Sequence, residues 1–224
     1  MQNLRRPIIL LLLSAVIFLS LSVFNFAFAK KKDIADEVLN KYKTAKLVKL
    51  DVIKRVKSEI LGKEQVFEGK IFVSQKRFRW DTETPDRSQI LYDGDTIWNT
   101  QYPPKELKSN PNVAKMKVDR NSRKQLLLSL LLNNEPLSKN FKVLSRTQID
   151  GVINVNLAPK SSELNIKTLI VKIESKKKEI STISYTDDIG NVTDIEISKA
   201  VFLQSSDSKL FIFKMPSGAT VTNI

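Results

Sequence analysis

Residues 77–102 read RFRWDTETPDRSQILYDGDTIWNTQY, and this stretch decides the fold. Phe78 and Trp80 alternate with charged residues, which predicts a β-strand that carries both aromatic side chains on one face. Asp93-Gly94 is a turn dipeptide between two apolar runs, so it predicts a tight hairpin. The stretch therefore predicts consecutive strands that share one apolar face.

The same alternation of apolar and polar residues recurs along most of the chain. Over residues 47–57 apolar residues alternate with charged ones, and Lys54 is the one break in that pattern. A sheet of this many strands tends to curl. We therefore expect a mainly β (α+β) fold, an incomplete antiparallel β-barrel or strongly curved sheet. The predicted strands span residues 47–57, 64–73, 77–81, 89–92, 96–102, 141–147, 152–158, 167–174, 179–186, 192–202 and 209–214.

Two segments have helical periodicity instead. Residues 33–42 carry an apolar stripe that includes Val38 and Leu39, with Asp33 placed to cap the helix. Residues 122–133 begin with a capping box and continue as a leucine run that is apolar nearly all round, so this helix must be covered on more than one side. We expect both helices to form a lid over a hydrophobic cavity in the curled sheet.

The N-terminal segment predicts export. Arg5 and Arg6 precede an apolar run over residues 8–24, and Ala27-Phe28-Ala29 offers small residues for cleavage. This pattern is typical of a Sec signal peptide covering residues 1–29, followed by a single domain over residues 30–224. The alternative is an anchor retained by residues 8–24, because the run approaches the roughly 20 residues that span a bilayer.

The composition restricts the chemistry. The chain contains neither cysteine nor histidine, which leaves no thiol nucleophile, no imidazole base and no cysteine or histidine metal ligand. We expect no enzyme activity, no cofactor and no metal. Removal of residues 1–29 takes away two arginines and lowers the net charge from +13 to +11. Because the basic residues are spread along an exported chain, anionic lipid or an acidic partner protein is favoured over nucleic acid.

The order of these features resembles the periplasmic lipoprotein carrier family, LolA. The resemblance rests on the Phe78-x-Trp80 strand, Pro85, the hairpin at residues 93–98, the central helix and the terminal pattern Phe211-x-Phe213-x-x-Pro216-x-Gly218-x-x-Val221. It implies a carrier in the periplasm of a Gram-negative envelope that buries the acyl chains of lipoproteins. The implied partners are acylated lipoproteins, an inner-membrane ABC-type transporter and an outer-membrane acceptor lipoprotein, and we expect a monomer.

The resemblance also implies a site. Phe78 and Trp80 line the acyl cavity, together with Ile97 or Trp98 from the next hairpin. The lid comprises Leu126, Leu127, Leu128, Leu130, Leu131 and Leu132 of the central helix, with Val38 and Leu39 of the first helix. The family's Arg-Pro pair, whose arginine holds the lid shut, is missing here, so Lys76 or Arg77 is the candidate for lid control. The alternatives are a carrier of another lipid or glycolipid, or a non-transporting envelope-sensing interaction module.

Overall fold

The computed structural model describes residues 33–104, 106–117, 127–132 and 137–224. The predicted signal peptide, the capping box at residues 122–125 and Leu126 lie outside these residues. No helix in the described ranges has the length and apolar character needed to cross a membrane.

Within the described ranges, twelve strands form one sheet. They are β1 Leu47–Lys57, β2 Glu64–Ser74, β3 Arg77–Thr84, β4 Ser88–Tyr92, β5 Thr96–Gln101, β6 Asn112–Lys117, β7 Phe141–Ile149, β8 Val152–Pro159, β9 Ile166–Glu174, β10 Glu179–Asp187, β11 Val192–Leu203 and β12 Thr220–Asn223. The α-helices are α1 Ile34–Thr44, α2 Leu127–Leu132 and α3 Leu137–Asn140, and short 3-10 helices occupy Ser162–Leu164 and Ser208–Phe211.

The sheet is curved and open. Its strand order is β12-β6-β5-β4-β3-β2-β1-β11-β10-β9-β8-β7, so β12 and β7 each have a neighbour on one side only. Every pairing is antiparallel except that of β12 with β6. The expectation of a mainly β, incomplete barrel is confirmed, and the sheet does not close into a complete one.

The two faces of the sheet bury different clusters. We call the face covered by α1 and α2 the helix face; its strand residues include Val48, Phe78 and Ile183, all buried in the larger hydrophobic cluster. We call the opposite face the strap face, because residues 204–219 cross it and bury Phe211 against Leu47 and Leu91. Opposed residues of β1 and β11 follow this division, because neighbouring positions along a strand point to opposite faces.

The prediction of a strand at residues 209–214 is wrong. Ser208–Phe211 is a 3-10 helix, and the Asp207 carboxylate accepts a hydrogen bond from the Lys209 N–H at its start. The segment lies across the strap face rather than at a sheet edge. The Leu210 carbonyl accepts its hydrogen bond from the Arg79 side chain across 3.2 Å, so this part of the backbone is satisfied without a ladder.

The hairpin predicted at Asp93-Gly94 is confirmed. Gly94 has a φ of 117°, a left-handed backbone that favours glycine. The Asp93 carboxylate accepts hydrogen bonds from the N–H groups of Asp95 and Thr96. The turn fixes the register of β4 and β5, which pairs Tyr92 with Ile97.

Candidate functional site

One row of apolar side chains crosses the sheet beneath the helices. Phe78 pairs with Val73 of β2 and Tyr92 of β4, and Tyr92 pairs in turn with Ile97 of β5. All four side chains are buried in the helix-face cluster. Directly opposed residues of antiparallel strands share a face, so the register joins Phe78 and Ile97, from strands that are not neighbours, into one surface.

Trp80 lies in the next row of the same face. It pairs with Ile71 of β2 and Ile90 of β4. Its ring is partly buried and packs against the helix-face cluster. The structure therefore brings Phe78, Trp80 and Ile97 together, as the strand alternation predicted.

The placement of Trp98 in the cavity is wrong, and Ile97 takes that face. The Trp98 ring stacks on Phe213, with ring centroids 4.1 Å apart and planes 4° from parallel. Its indole N–H donates a hydrogen bond to the Asp93 carboxylate across 3.0 Å. Trp98 belongs to the strap-face cluster because it follows Ile97 by one residue.

The predicted lid residues that the structure describes lie on the helix face. Val38 and Leu39 of α1 are buried there, as are Leu128, Leu131 and Leu132 of α2. Leu127 is partly buried and packs against the same cluster. For Leu130 the structure describes the backbone only. The predicted lid and the sheet therefore share one apolar cluster, to which α1 and α2 contribute the lid side chains.

Among the described residues, neither Lys76 nor Arg77 contacts an α-helix, and lid control by either residue stays a prediction. The Arg77 guanidinium lies 4.9 Å from the Phe211 ring centroid and donates a hydrogen bond to the Ser206 hydroxyl. Both contacts are on the strap face. Lys76 is exposed in the turn between β2 and β3.

Arg146 of β7 holds the start of α1 instead. Its guanidinium pairs with the Asp33 carboxylate and donates a hydrogen bond to the Asp36 carboxylate across 2.8 Å. Asp33 is also the N-cap of α1 and accepts a hydrogen bond from the Ala35 N–H across 2.8 Å. One arginine therefore joins the edge strand to the first turn of the helix.

A β-bulge aims Arg146 at the helix. Strict alternation from the buried Phe141 would put Arg146 on the opposite face. The pairing of β7 with β8 shifts between Val143 and Ser145, after which Arg146 pairs with the buried Val155. Bulges re-aim side chains in this way, and no motif in the sequence marks this one.

Two further ion pairs join α1 to the hairpin of β9 and β10. Lys178 lies 3.0 Å from the Glu37 carboxylate, and Lys41 lies 3.3 Å from the Glu179 carboxylate. All four side chains are partly exposed, and exposed pairs contribute roughly 0–1 kcal/mol each. These contacts orient α1 without fixing it strongly.

Hydrogen bonding in the first turn shifts the acidity of Asp33. Burial raises the pKa of Asp33, but hydrogen bonds from the Ala35 N–H and the Arg146 guanidinium outweigh burial and hold the pKa below its ordinary value. The carboxylate therefore stays charged, and available to Arg146, throughout the neutral and mildly acidic range.

Tyr42 is the polar anchor of α1 within the apolar cluster. Its hydroxyl accepts a hydrogen bond from the Ile180 N–H across 3.1 Å. Ile180 stands at a register irregularity between β9 and β10. Burial raises the pKa of the Tyr42 hydroxyl. The neutral hydroxyl thus satisfies a buried backbone donor at the bulge.

A groove of about 500 Å³ opens beside the helix. It lies between α1, α3 and β7, and its apolar walls come from Leu39, Leu137 and Val143. Asp36 and Arg146 supply charged groups to its lining. The groove therefore lies between α1 and the edge strand β7 of the sheet.

Residues 44–214 match the sequence profile of the family described as outer membrane lipoprotein carrier protein LolA. This chain belongs to the LolA family. The matched range covers β1 to β11 and the strap as far as residue 214, together with α2 and α3. Most of α1 precedes it.

Several known proteins are similar to this chain at low identity. The outer-membrane lipoprotein carrier protein of Methylococcus capsulatus is 25% identical over 75% of this chain and 77% of its own length. That of Dechloromonas aromatica is 24% identical over 97% of this chain and 98% of its own length. A crystal structure of a LolA superfamily protein from Nitrosomonas europaea covers 80% of this chain and 97% of its own, with 12% identity and a TM-score of 0.44.

Proposed function

We propose that this protein is a periplasmic carrier that holds the acyl chains of lipoproteins on its helix face. The observation that carries the proposal is the shared cluster, in which α1 and α2 bury Val38, Leu39, Leu128 and Leu131 against the sheet. An acyl chain has the same chemistry as these side chains. It takes their place when the helices move aside.

The energetics favour such an exchange. Each methylene group removed from water contributes about 0.8 kcal/mol, so an acyl chain does not leave a membrane for water unaided. Fully burying one leucine or valine contributes about 1.5–3 kcal/mol. The closed helices give up several such contacts on opening, which offsets part of the ligand's binding energy and leaves the complex able to unload.

The polar contacts of α1 set the opening route. Arg146, Lys178 and Glu179 hold the helix through partly exposed ion pairs, which are weak compared with apolar burial. The groove between α1 and β7 is the entrance, because an acyl chain inserted there meets Leu39 and Val143 first. In this proposal Arg146 fills the lid-control role that the sequence assigned to Lys76 or Arg77.

Membership of the LolA family supports a proposed route of transport. Residues 1–29 direct export and are removed, an inner-membrane ABC-type transporter loads the carrier, and an outer-membrane acceptor lipoprotein unloads it. The protein acts as a binding protein and not as an enzyme. N-terminal sequencing of the exported form is expected to begin at Lys30; retention of residues 8–24 would contradict this part of the proposal.

Copurification tests the function. The tagged, exported protein is expected to bring down triacylated proteins, detected by mass spectrometry of the bound fraction. Trp80→Asp and Leu127→Glu place a carboxylate in the helix-face cluster and should abolish binding while the β circular-dichroism signature persists. Leu61→Glu is the matched control, since Leu61 is an exposed leucine in the turn after β1.

The same experiment separates the competing functions. Recovery of a lipid or glycolipid without triacylated protein would identify another cargo on the same fold. Binding at wild-type level by both Trp80→Asp and Leu127→Glu would contradict the assignment of the helix face. Absence of any acylated ligand would favour an interaction module.

A further inference from the structure

Lys54 places a charged side chain on the helix face of β1, where Val52 is buried in the apolar cluster. It interrupts the apolar alternation of β1 between Val52 and Val56. Its register partners are Phe67 of β2 and Ile195 of β11. Since opposed residues share a face, the Lys54 ammonium enters the same surface as the side chains assigned to the acyl chains.

Two aromatic rings flank this ammonium. The Lys54 Nζ lies 5.0 Å from the Phe67 ring centroid and 5.3 Å from the Trp80 ring centroid. Cations within about 6 Å of a ring centroid are attracted by the ring's quadrupole. The rings hold the Lys54 side chain over the sheet and next to Trp80.

Lys54 pairs with no carboxylate among the described residues. Burial lowers its pKa, and no opposite charge counters that effect. Desolvation of an ammonium is unfavourable unless an anion accompanies it, and ring contacts replace lost hydration only in part. The part of the chain that the structure describes therefore places a cation here without a neighbouring anion.

Lys41 shows the complete form of the same arrangement. Its Nζ lies 4.0 Å from the Phe202 ring centroid and 3.3 Å from the Glu179 carboxylate. An ammonium, a ring and an anion thus occur together at one end of the face. At Lys54 the described residues supply the ammonium and the rings but no anion.

We propose that Lys54 binds an anionic group attached to the acyl chain of the ligand, either a carboxylate or a phosphate. The inference rests on the proposed acyl-binding role of the helix face and adds the charge of its ligand. The anion comes from one of two sources: the head group of an acidic lipid, or an acidic side chain next to the acylated end of a lipoprotein.

Ligand pairs that differ only in charge test the inference. Brominated stearate and brominated stearyl alcohol form the first pair, and triacylated peptides with Glu or Gln beside the acylated residue form the second. Quenching of Trp80 fluorescence by bromine reports binding of the first pair, and calorimetry reports the second. All proteins carry Trp98→Phe, because the chain has two tryptophans and Trp98 lies on the strap face.

Three variants isolate the charge. Lys54→Met keeps an unbranched stem over the rings and removes the ammonium, whereas Lys54→Arg keeps the charge. Lys49→Met is the matched control on the same strand, at a position of opposite parity and hence on the strap face. The Trp98→Phe protein that retains Lys54 is expected to prefer the anionic member of at least one pair by about tenfold, the effect of one charge-assisted contact.

The expected result is loss of that preference in Lys54→Met and its retention in Lys54→Arg and Lys49→Met. The pair that responds identifies the source of the anion. Equal affinity for charged and neutral members, or a preference that survives Lys54→Met, would overturn the inference and leave the acyl carrier intact. Failure to bind any acylated ligand would overturn the proposed function as well.

Discussion

The Arg146 guanidinium on the edge strand β7 donates a hydrogen bond to the Asp36 carboxylate in the first turn of α1, across 2.8 Å. With its contact to Asp33, this pair connects the lid helix to the margin of the sheet. Arg146→Met should lower the free energy of unfolding by about 1 kcal/mol or less, because the pairs are partly exposed. Hydrogen exchange of the α1 amides should accelerate, while exchange in β1 stays unchanged.

Lys142→Met is the control for this variant. Lys142 is exposed on the same strand. If α1 exchanges equally fast in both variants and in the wild type, Arg146 does not hold the lid.

Acid should weaken the same connection. The pKa of Asp33 in the folded protein lies below its ordinary value of about 3.9, so its charge stabilises the fold above that value and the contribution is lost as the pH falls through the folded pKa. Asp33→Asn removes the charge and keeps a good N-cap residue. Urea unfolding should show a wild-type advantage at pH 7 that shrinks towards pH 3; an equal difference at both values would contradict this assignment.

The Tyr42 hydroxyl should stabilise the fold by accepting the hydrogen bond of the Ile180 N–H. Tyr42→Phe keeps the edge-to-face packing on Phe202, whose ring centroid lies 4.8 Å away, and leaves the Ile180 N–H without its partner. An unsatisfied buried donor costs about 1–3 kcal/mol. Chemical denaturation of Tyr42→Phe and of the control Tyr102→Phe should show that loss in the first variant only. A loss below about 0.5 kcal/mol, the usual effect of a surface substitution, would contradict the role.

Alternation was sufficient to place the aromatic face, because Phe78 and Trp80 lie in a strand without irregularity up to Asp81. The same rule left Ile97 and Trp98 as alternatives, since adjacent residues face opposite ways and both are large and apolar. It could not identify Arg146, because the bulge between Val143 and Ser145 inverts the pattern.

Local sequence patterns could not predict the structure of the C-terminal part of the chain, for another reason. The position of the strap depends on contacts of Phe211 with Leu47 and Leu91, which lie more than a hundred residues earlier in the sequence. The parallel pairing of β12 with β6 depends on where the strap ends. Neither relationship has a counterpart in the periodicity of residues 204–223.

The Lys54 side chain should lower the stability of the folded protein. Burial lowers the pKa of Lys54, so the charged form is destabilising in the folded state below that pKa, and the penalty disappears as the pH rises towards the ordinary lysine value of about 10.4. Lys54→Met should therefore unfold at a higher urea concentration than the wild type at pH 7. The gap should narrow by pH 10. A variant less stable than the wild type at pH 7 would show that the ring contacts outweigh desolvation.

Displacement of α1 on loading is the central claim, and the distance between α1 and the sheet tests it most directly. The chain has no cysteine, so Asn40→Cys on α1 and Lys199→Cys on β11, both exposed positions, accept spin labels without background. Pulsed electron resonance on the exported protein should give one short distance without ligand and a longer one with bound triacylated peptide. A fully loaded protein whose label distance is unchanged would contradict the account.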